Sequence, residues 1–204
     1  MRFDAEAAIA HLGARDPKLR ALMERVGAFR MRLDAAATPF EALSESIIYQ
    51  QITGRAAATI AGRFCERVGD GRFPAPQRVL DATDVILREA GLSRGKVAAL
   101  RDLAAKSLDG TVPAMARLRR MEDDEIVERL TVVRGIGRWT AEMFLIFRLG
   151  RPDVLPVHDY GVRKGFQRAF RTRELPDPEK VARRGERLKP YRTVASWYLW
   201  RALE

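Results

Sequence analysis

Apolar residues in this chain recur at three- and four-residue spacing from end to end, and nowhere alternate with polar ones over a useful length. The first pattern buries one stripe of a helix, and the missing second one would mark a half-buried strand. No self-similar period suggests a solenoid. The expectation is an all-α fold. With 204 residues, 47% of them hydrophobic and 31% charged, the chain suits one domain or two small lobes sharing a sizeable core.

Start and stop signals divide the pattern. Helices are expected over 4–12 and 17–26, with Gly13 and Gly27 as stops. Thr38-Pro39-Phe40-Glu41 reads as a strong start: Thr38 caps, Pro39 suits the first turn and Glu41 reaches back. Its stripe of Phe40, Leu43, Ile47 and Ile48 leads into Tyr49-Gln50-Gln51-Ile52-Thr53-Gly54, and a second helix follows over 55–68. The stretch 69–76 is turn chemistry throughout. Short helices near 77–80 and 84–90 precede a long one over 94–107, capped by Ser93. Arg94 and Lys96 at its start oppose its dipole unless an anion lies close. An acidic helix over 121–130 comes next.

Charge narrows the partners. Lys and Arg outnumber Asp and Glu by 37 to 27, a net charge of +10. Such an excess attracts polyanions, nucleic acid first and an anionic membrane surface second, unless the protein is merely basic. The longest apolar run, Met143 to Phe147, is far short of a membrane span. No apolar signal core follows Met1, so secretion is not expected. A single cysteine, Cys65, excludes an internal disulfide and an all-cysteine metal or iron–sulfur site; a buried structural thiol is the simpler role. Two separated histidines, His11 and His158, do not make a metal centre.

Between the acidic helix and the next one lies Arg134-Gly135-Ile136-Gly137-Arg138. Glycines permit positive φ and leave backbone N–H groups uncovered, and the following helix adds the positive end of its dipole, so an anion can approach. Leu130, Val133, Ile136 and Ala141 would pack the two helices together. Most Gly-X-Gly turns only connect helices, and the surroundings carry the specificity here. L-x-x-V-x-G-I-G-x-W-T-A followed by L-P-V-H-D-Y-G-V-R-K, together with S-I-I-Y-Q-Q-I-T, G-L-S-R-G-K-V-A-A-L-R-D-L-A and Y-R-T-V-A-S-W-Y-L-W-R, resembles the helix-hairpin-helix (HhH-GPD) base-excision DNA glycosylases. Within them it is similar to the 3-methyladenine DNA glycosylase II branch, without the N-terminal β-rich domain of longer members.

The resemblance implies two helical lobes with an active-site cleft between them, approximately 38–130 and 1–37 plus 131–204. It implies a monomer acting on alkylated bases in double-stranded DNA in the cytoplasm or nucleoid, with no membrane association. By the same match, amides of Gly135, Gly137 and Thr140 meet DNA phosphate, as does a second turn at Ser93, Gly95 and Lys96, with Arg163 beyond it. Carbonyls of Thr131, Val133 and Ile136 match a site for a structural Na⁺ or K⁺, and no cofactor is needed for catalysis. Gln50, Gln51 and Ile52, beside Tyr49, fall where the family wedges the duplex, Gln51 aligning best with the plug. Asp159 matches the catalytic carboxylate; Trp139, Met143, Tyr160 and Trp200 match the base pocket. The family position of Met143 is often tyrosine, so the pocket would be less polar.

Chemistry supports these assignments independently. A glycosylase must extrude its base and place a carboxylate under the sugar to stabilise oxocarbenium-like charge or activate water. Asp159 follows Pro156 and opens a helix; taken alone it reads as an ordinary N-cap. Alkylated purines are cationic and leave readily, so electron-rich rings can recognise them by cation–π attraction worth about 1–2 kcal/mol in a dry pocket. Trp197 is read as core. Trp139 stands where the lyases of the superfamily carry a Schiff-base lysine, so no strand cleavage is expected. His158 is read as environment. The basic run Arg163, Lys164, Arg168, Arg171 and Arg173 would partly grip phosphates. A non-catalytic DNA-binding module, or a glycosylase for another damaged base, are the competing readings.

Overall fold

The computed structural model describes residues 3–34 and 36–204, and among them there is no β-strand. The helices are α1 Ala5–Arg15, α2 Pro17–Val26, α3 Pro39–Tyr49, α4 Gly54–Gly69, α5 Pro76–Asp81, α6 Asp84–Glu89 and α7 Arg94–Leu108. They continue with α8 Met115–Leu118, α9 Asp123–Thr131, α10 Arg138–Phe147, α11 Tyr160–Phe170, α12 Pro178–Gly185 and α13 Arg192–Arg201. A single 3₁₀ turn, Glu186–Leu188, joins α12 to α13. No helix among the described residues is long and apolar enough to cross a membrane.

The caps explain most boundaries. Thr38 Oγ1 accepts the Glu41 N–H at 3.1 Å, while the Glu41 carboxylate reaches back to the Ala37 N–H at 2.9 Å, one residue before the cap. Ser93 Oγ accepts the Lys96 N–H at 3.2 Å and opens α7. Gly27 closes α2 at a φ of 83°. Gly13 does not stop α1. Its carbonyl takes the Arg20 Nε–H at 2.9 Å, and the helix continues to Asp16, whose N–H closes α1 on Leu12. The Asp16 carboxylate then caps α2 through the N–H groups of Lys18 and Leu19, at 3.0 and 3.2 Å. Asp16-Pro17 carried that signal in the sequence. The short helix α8 and the helix α12 lay outside the sequence expectations.

The chain divides into two compact units, one of residues 1–34 and 145–204, the other of 35–144. The expected seam after residue 130 therefore lies instead within α10, and the Gly-X-Gly turn belongs to the second unit. The first unit is built around α13, whose residues Thr193 through Leu199 are all buried. Helices α1, α2 and α11 pack on it. Gly165 of α11 faces the Leu199 carbonyl so closely that a β-carbon there would overlap it, which fixes glycine at that crossing. In the second unit α7 is the central helix, contacted by α3, α5 and α6. Val97, Leu100, Leu103 and Ala104 form its buried face.

Candidate active site

The second unit carries the Gly-X-Gly turn. Leu130, Val133, Ile136 and Ala141 are buried, as the apolar pattern predicts. The turn closes through the Ile136 N–H on the Val133 carbonyl at 3.0 Å, and Gly135 takes a φ of 80° that favours glycine. Gly135 and Gly137 are exposed, whereas Thr140, in the first turn of α10, is buried. Below the turn, Asp102 of α7 accepts the Arg134 N–H at 2.7 Å and pairs with Lys106 at 2.6 Å. Burial pushes the Asp102 carboxyl up, but the Arg134 N–H and the Lys106 ammonium outweigh it and hold the group below the usual carboxylate range. Nothing in the sequence linked Asp102 to a loop 32 residues away.

The candidate wedge lies in the same unit. Tyr49 ends α3 with 44% of its surface exposed, and Ile52 is 38% exposed. Gln51 is exposed and holds a φ of 59°, left-handed backbone that costs a non-glycine residue about 1–2 kcal/mol. Gln50 is tied down: its Nε2 donates to the Gly135 carbonyl at 2.9 Å. Of the second turn, Ser93 and Gly95 are exposed. Lys96 turns its ammonium onto the Ile48 and Gln50 carbonyls, at 2.7 and 2.9 Å. Those carbonyls form the negative end of α3, which resolves the misfit of a lysine at the start of α7. Burial lowers the Lys96 pKa. Trp139, 49% exposed, and the half-buried Met143 lie on the part of α10 in this unit.

The first unit carries the carboxylate. Asp159 is half-buried and caps α11, its Oδ1 accepting the Val162 N–H at 2.7 Å. The same oxygen accepts the Trp200 Nε1–H at 2.8 Å, and an indole donor is more than an ordinary cap needs. Trp200 in turn stacks on Phe147, with centroids 5.8 Å apart and planes 24° from parallel. Sequence reasoning missed Phe147. Gly161 makes the arrangement possible, because a β-carbon there would lie 2.8 Å from Trp200 Cδ1 and 3.0 Å from Asp159 Oδ1. Tyr160 is 65% exposed at the first position of α11. His158 is exposed, and Trp197 is buried as core. Arg163 donates through Nε to the Pro176 carbonyl at 2.8 Å. Arg168 donates to the Ala202 carbonyl at 2.9 Å, so part of the basic run serves the fold.

A sequence profile described as "HhH-GPD superfamily base excision DNA repair protein" matches residues 45–190. DNA-3-methyladenine glycosylase 1 of Schizosaccharomyces pombe is 36% identical over 192 residues, covering 94% of this chain and 84% of the relative. A solved structure of the 3-methyladenine DNA glycosylase of that yeast, in complex with abasic DNA, is 35% identical. It superposes with a TM-score of 0.84 over 96% of this chain and 95% of that one. A crystal structure of a DNA-3-methyladenine glycosidase from Bacillus halodurans is 34% identical with a TM-score of 0.89, covering 99% and 92%. The profile match over most of the length, the yeast relative, and a capped, indole-held aspartate following a buttressed Gly-X-Gly turn agree. This chain belongs to the HhH-GPD superfamily of base excision DNA repair proteins.

Proposed function

We propose that this protein is a base-excision DNA glycosylase that hydrolyses the N-glycosidic bond of alkylated bases in double-stranded DNA and leaves an abasic site. The substrates are of the 3-methyladenine and 7-methylguanine type. The observation that carries this reading is Asp159, held by two donors on one oxygen. A binding module has no use for a carboxylate fixed in that way.

The chemistry follows from charge. When the C1′–N bond breaks, its electron pair leaves with the base, and an alkylated cationic base departs neutral without needing a proton. Positive charge then develops on the sugar. A carboxylate locked in orientation stabilises that charge without reorganising, a contribution of roughly a hundred- to a thousandfold in rate for comparable groups. Water adds at C1′ and loses a proton to complete hydrolysis. Trp139, Tyr160 and Trp200 supply the electron-rich faces that attract a cationic base, with Met143 as a less polar wall.

The wedge is Gln50, Gln51 and Ile52, and the hairpin amides at Gly135, Gly137 and Thr140 hold phosphate, as do Ser93 and Gly95 and the region of Arg163. Carbonyls of Thr131, Val133 and Ile136 would hold a Na⁺ or K⁺. Thr131 ends α9, Val133 and Ile136 close the turn that follows, and the Val133 carbonyl keeps a second lone pair beside its bond to Ile136. The enzyme is monofunctional, since Trp139 stands in the lyase lysine's place. It works as a monomer on chromosomal DNA in the cytoplasm, to which its charge of +10 draws it.

Incubation of methylated duplex DNA with the wild-type protein should release free methylated purines on chromatography. The strand should stay intact, and borohydride should trap no adduct. Absence of released base would overturn the enzyme reading; a trapped adduct would overturn the monofunctional one.

A further inference from the structure

Helix α7 turns one stripe of side chains toward two loops of its own unit. Lys96, Ala99, Asp102 and Lys106 follow at intervals of three, three and four residues, which places them on one face. At the near end the Lys96 ammonium donates to the carbonyls of Ile48 and Gln50. In the middle, Ala99 packs under Gly135 so closely that a β-carbon on the glycine would lie 3.3 Å from its own. At the far end Asp102 accepts the Arg134 N–H, with Lys106 completing the pair. Gln50 closes the circuit through Nε2 on the Gly135 carbonyl. One helix face therefore sets the candidate wedge and the hairpin together.

The ammonium has three donors, and two are committed to the end of α3. That end needs them. Gln50 leaves the helix with a φ of −58° and ψ of 134°, and terminal carbonyls have no partner within their own helix. The next residue, Gln51, holds left-handed backbone, a conformation that persists in an L residue when its surroundings impose it. Only one N–H is left over, and the direction of the ammonium is already set by the two bonds to the end of the helix, whose carbonyls its removal would leave without these donors.

We propose that Lys96 is a positioning residue for base extrusion: its ammonium anchors the end of α3 and so sets the Gln50–Ile52 loop, and it does not itself hold a phosphate. This rests on the glycosylase reading above and assigns Lys96 a different role from the phosphate contact that the family resemblance implies.

The test uses Lys96→Met and Lys96→Arg with two duplexes carrying the same methylated base. In one the lesion faces its normal partner. In the other it faces an abasic site, where extrusion costs less. On the paired duplex Lys96→Met should release base about ten- to a hundredfold more slowly in single turnover, the loss expected for charge-assisted hydrogen bonds. On the second duplex most of that loss should disappear. Lys96→Arg, which keeps two donors, should recover part of the paired-duplex rate, and the salt dependence of binding should match wild type. An equal loss on both duplexes with a salt slope shallower by about one would make Lys96 a phosphate contact. An equal loss with an unchanged slope and a lower Tm would make it merely structural. Either result, or no loss at all, overturns the proposal. If the wild type releases no base from either duplex, the glycosylase reading fails and takes this inference with it.

Discussion

Gly161→Ala tests how the carboxylate is held. The added methyl would lie 2.8 Å from Trp200 Cδ1, 3.0 Å from Asp159 Oδ1 and 3.2 Å from Trp200 Nε1. Carbon atoms pack best at about 3.5–4.0 Å, so the indole has to retreat by about 0.7 Å. That retreat takes the 2.8 Å bond from Trp200 to Asp159 to roughly 3.5 Å, where little of it remains. A hydrogen bond to a charged group is worth about 1.5–3 kcal/mol, while alanine returns up to about 1 kcal/mol of helix propensity. The net destabilisation is about 1–2 kcal/mol, a fall in Tm of roughly 2–8 °C at this size. Rate suffers more, since displacing a positioned group by about 1 Å costs on the order of a hundredfold. Single-turnover release of base from methylated duplex DNA, with melting followed by circular dichroism, reads both quantities. Trp200→Phe, which removes the donor without crowding, should lower the rate in the same direction. If Gly161→Ala releases base at the wild-type rate, the Trp200 bond does not position Asp159 and the reasoning is wrong.

Two further outcomes follow from the second unit. Gln51→Gly relieves left-handed backbone, so the denaturant midpoint should rise, by up to about 1 kcal/mol of stability, while base release falls with the loss of the inserted side chain; a lowered midpoint would contradict the strain. The folded-state pKa of Asp102 lies below its ordinary value of 3.8, so its contribution is fully present above that value and is lost as pH falls through the folded one. Wild type should therefore exceed Asp102→Asn in stability by a constant margin at neutral pH, and the margin should shrink below about pH 4; a margin that widens in acid would refute the assignment.

Local signals placed much of this molecule. The caps at Thr38, Ser93 and Asp159, the stop at Gly27 and the buried anchors of the hairpin all depend on residues a few positions apart, and each stands where the pattern put it. Gly13 failed as a stop because glycine lowers helix propensity without forbidding a helix, and a side chain from the next helix holds its carbonyl. The partnerships that fix the site were not legible. Asp102 with Arg134, Lys96 with Gln50 and Trp200 with Asp159 join residues separated by 32, 46 and 41 positions. Such bonds exist only after the helices pack, and no periodicity anticipates them.

The central claim is that Asp159 does chemistry. Asparagine caps a helix about as well as aspartate and offers one oxygen to Val162 and Trp200, so Asp159→Asn removes the charge and can keep those two bonds. Wild type and Asp159→Asn should bind a duplex containing an abasic-site analogue with similar affinity. Base release from methylated DNA should fall at least about a hundredfold in the variant. Equal release by the two proteins, or DNA binding by both with release by neither, would contradict the account.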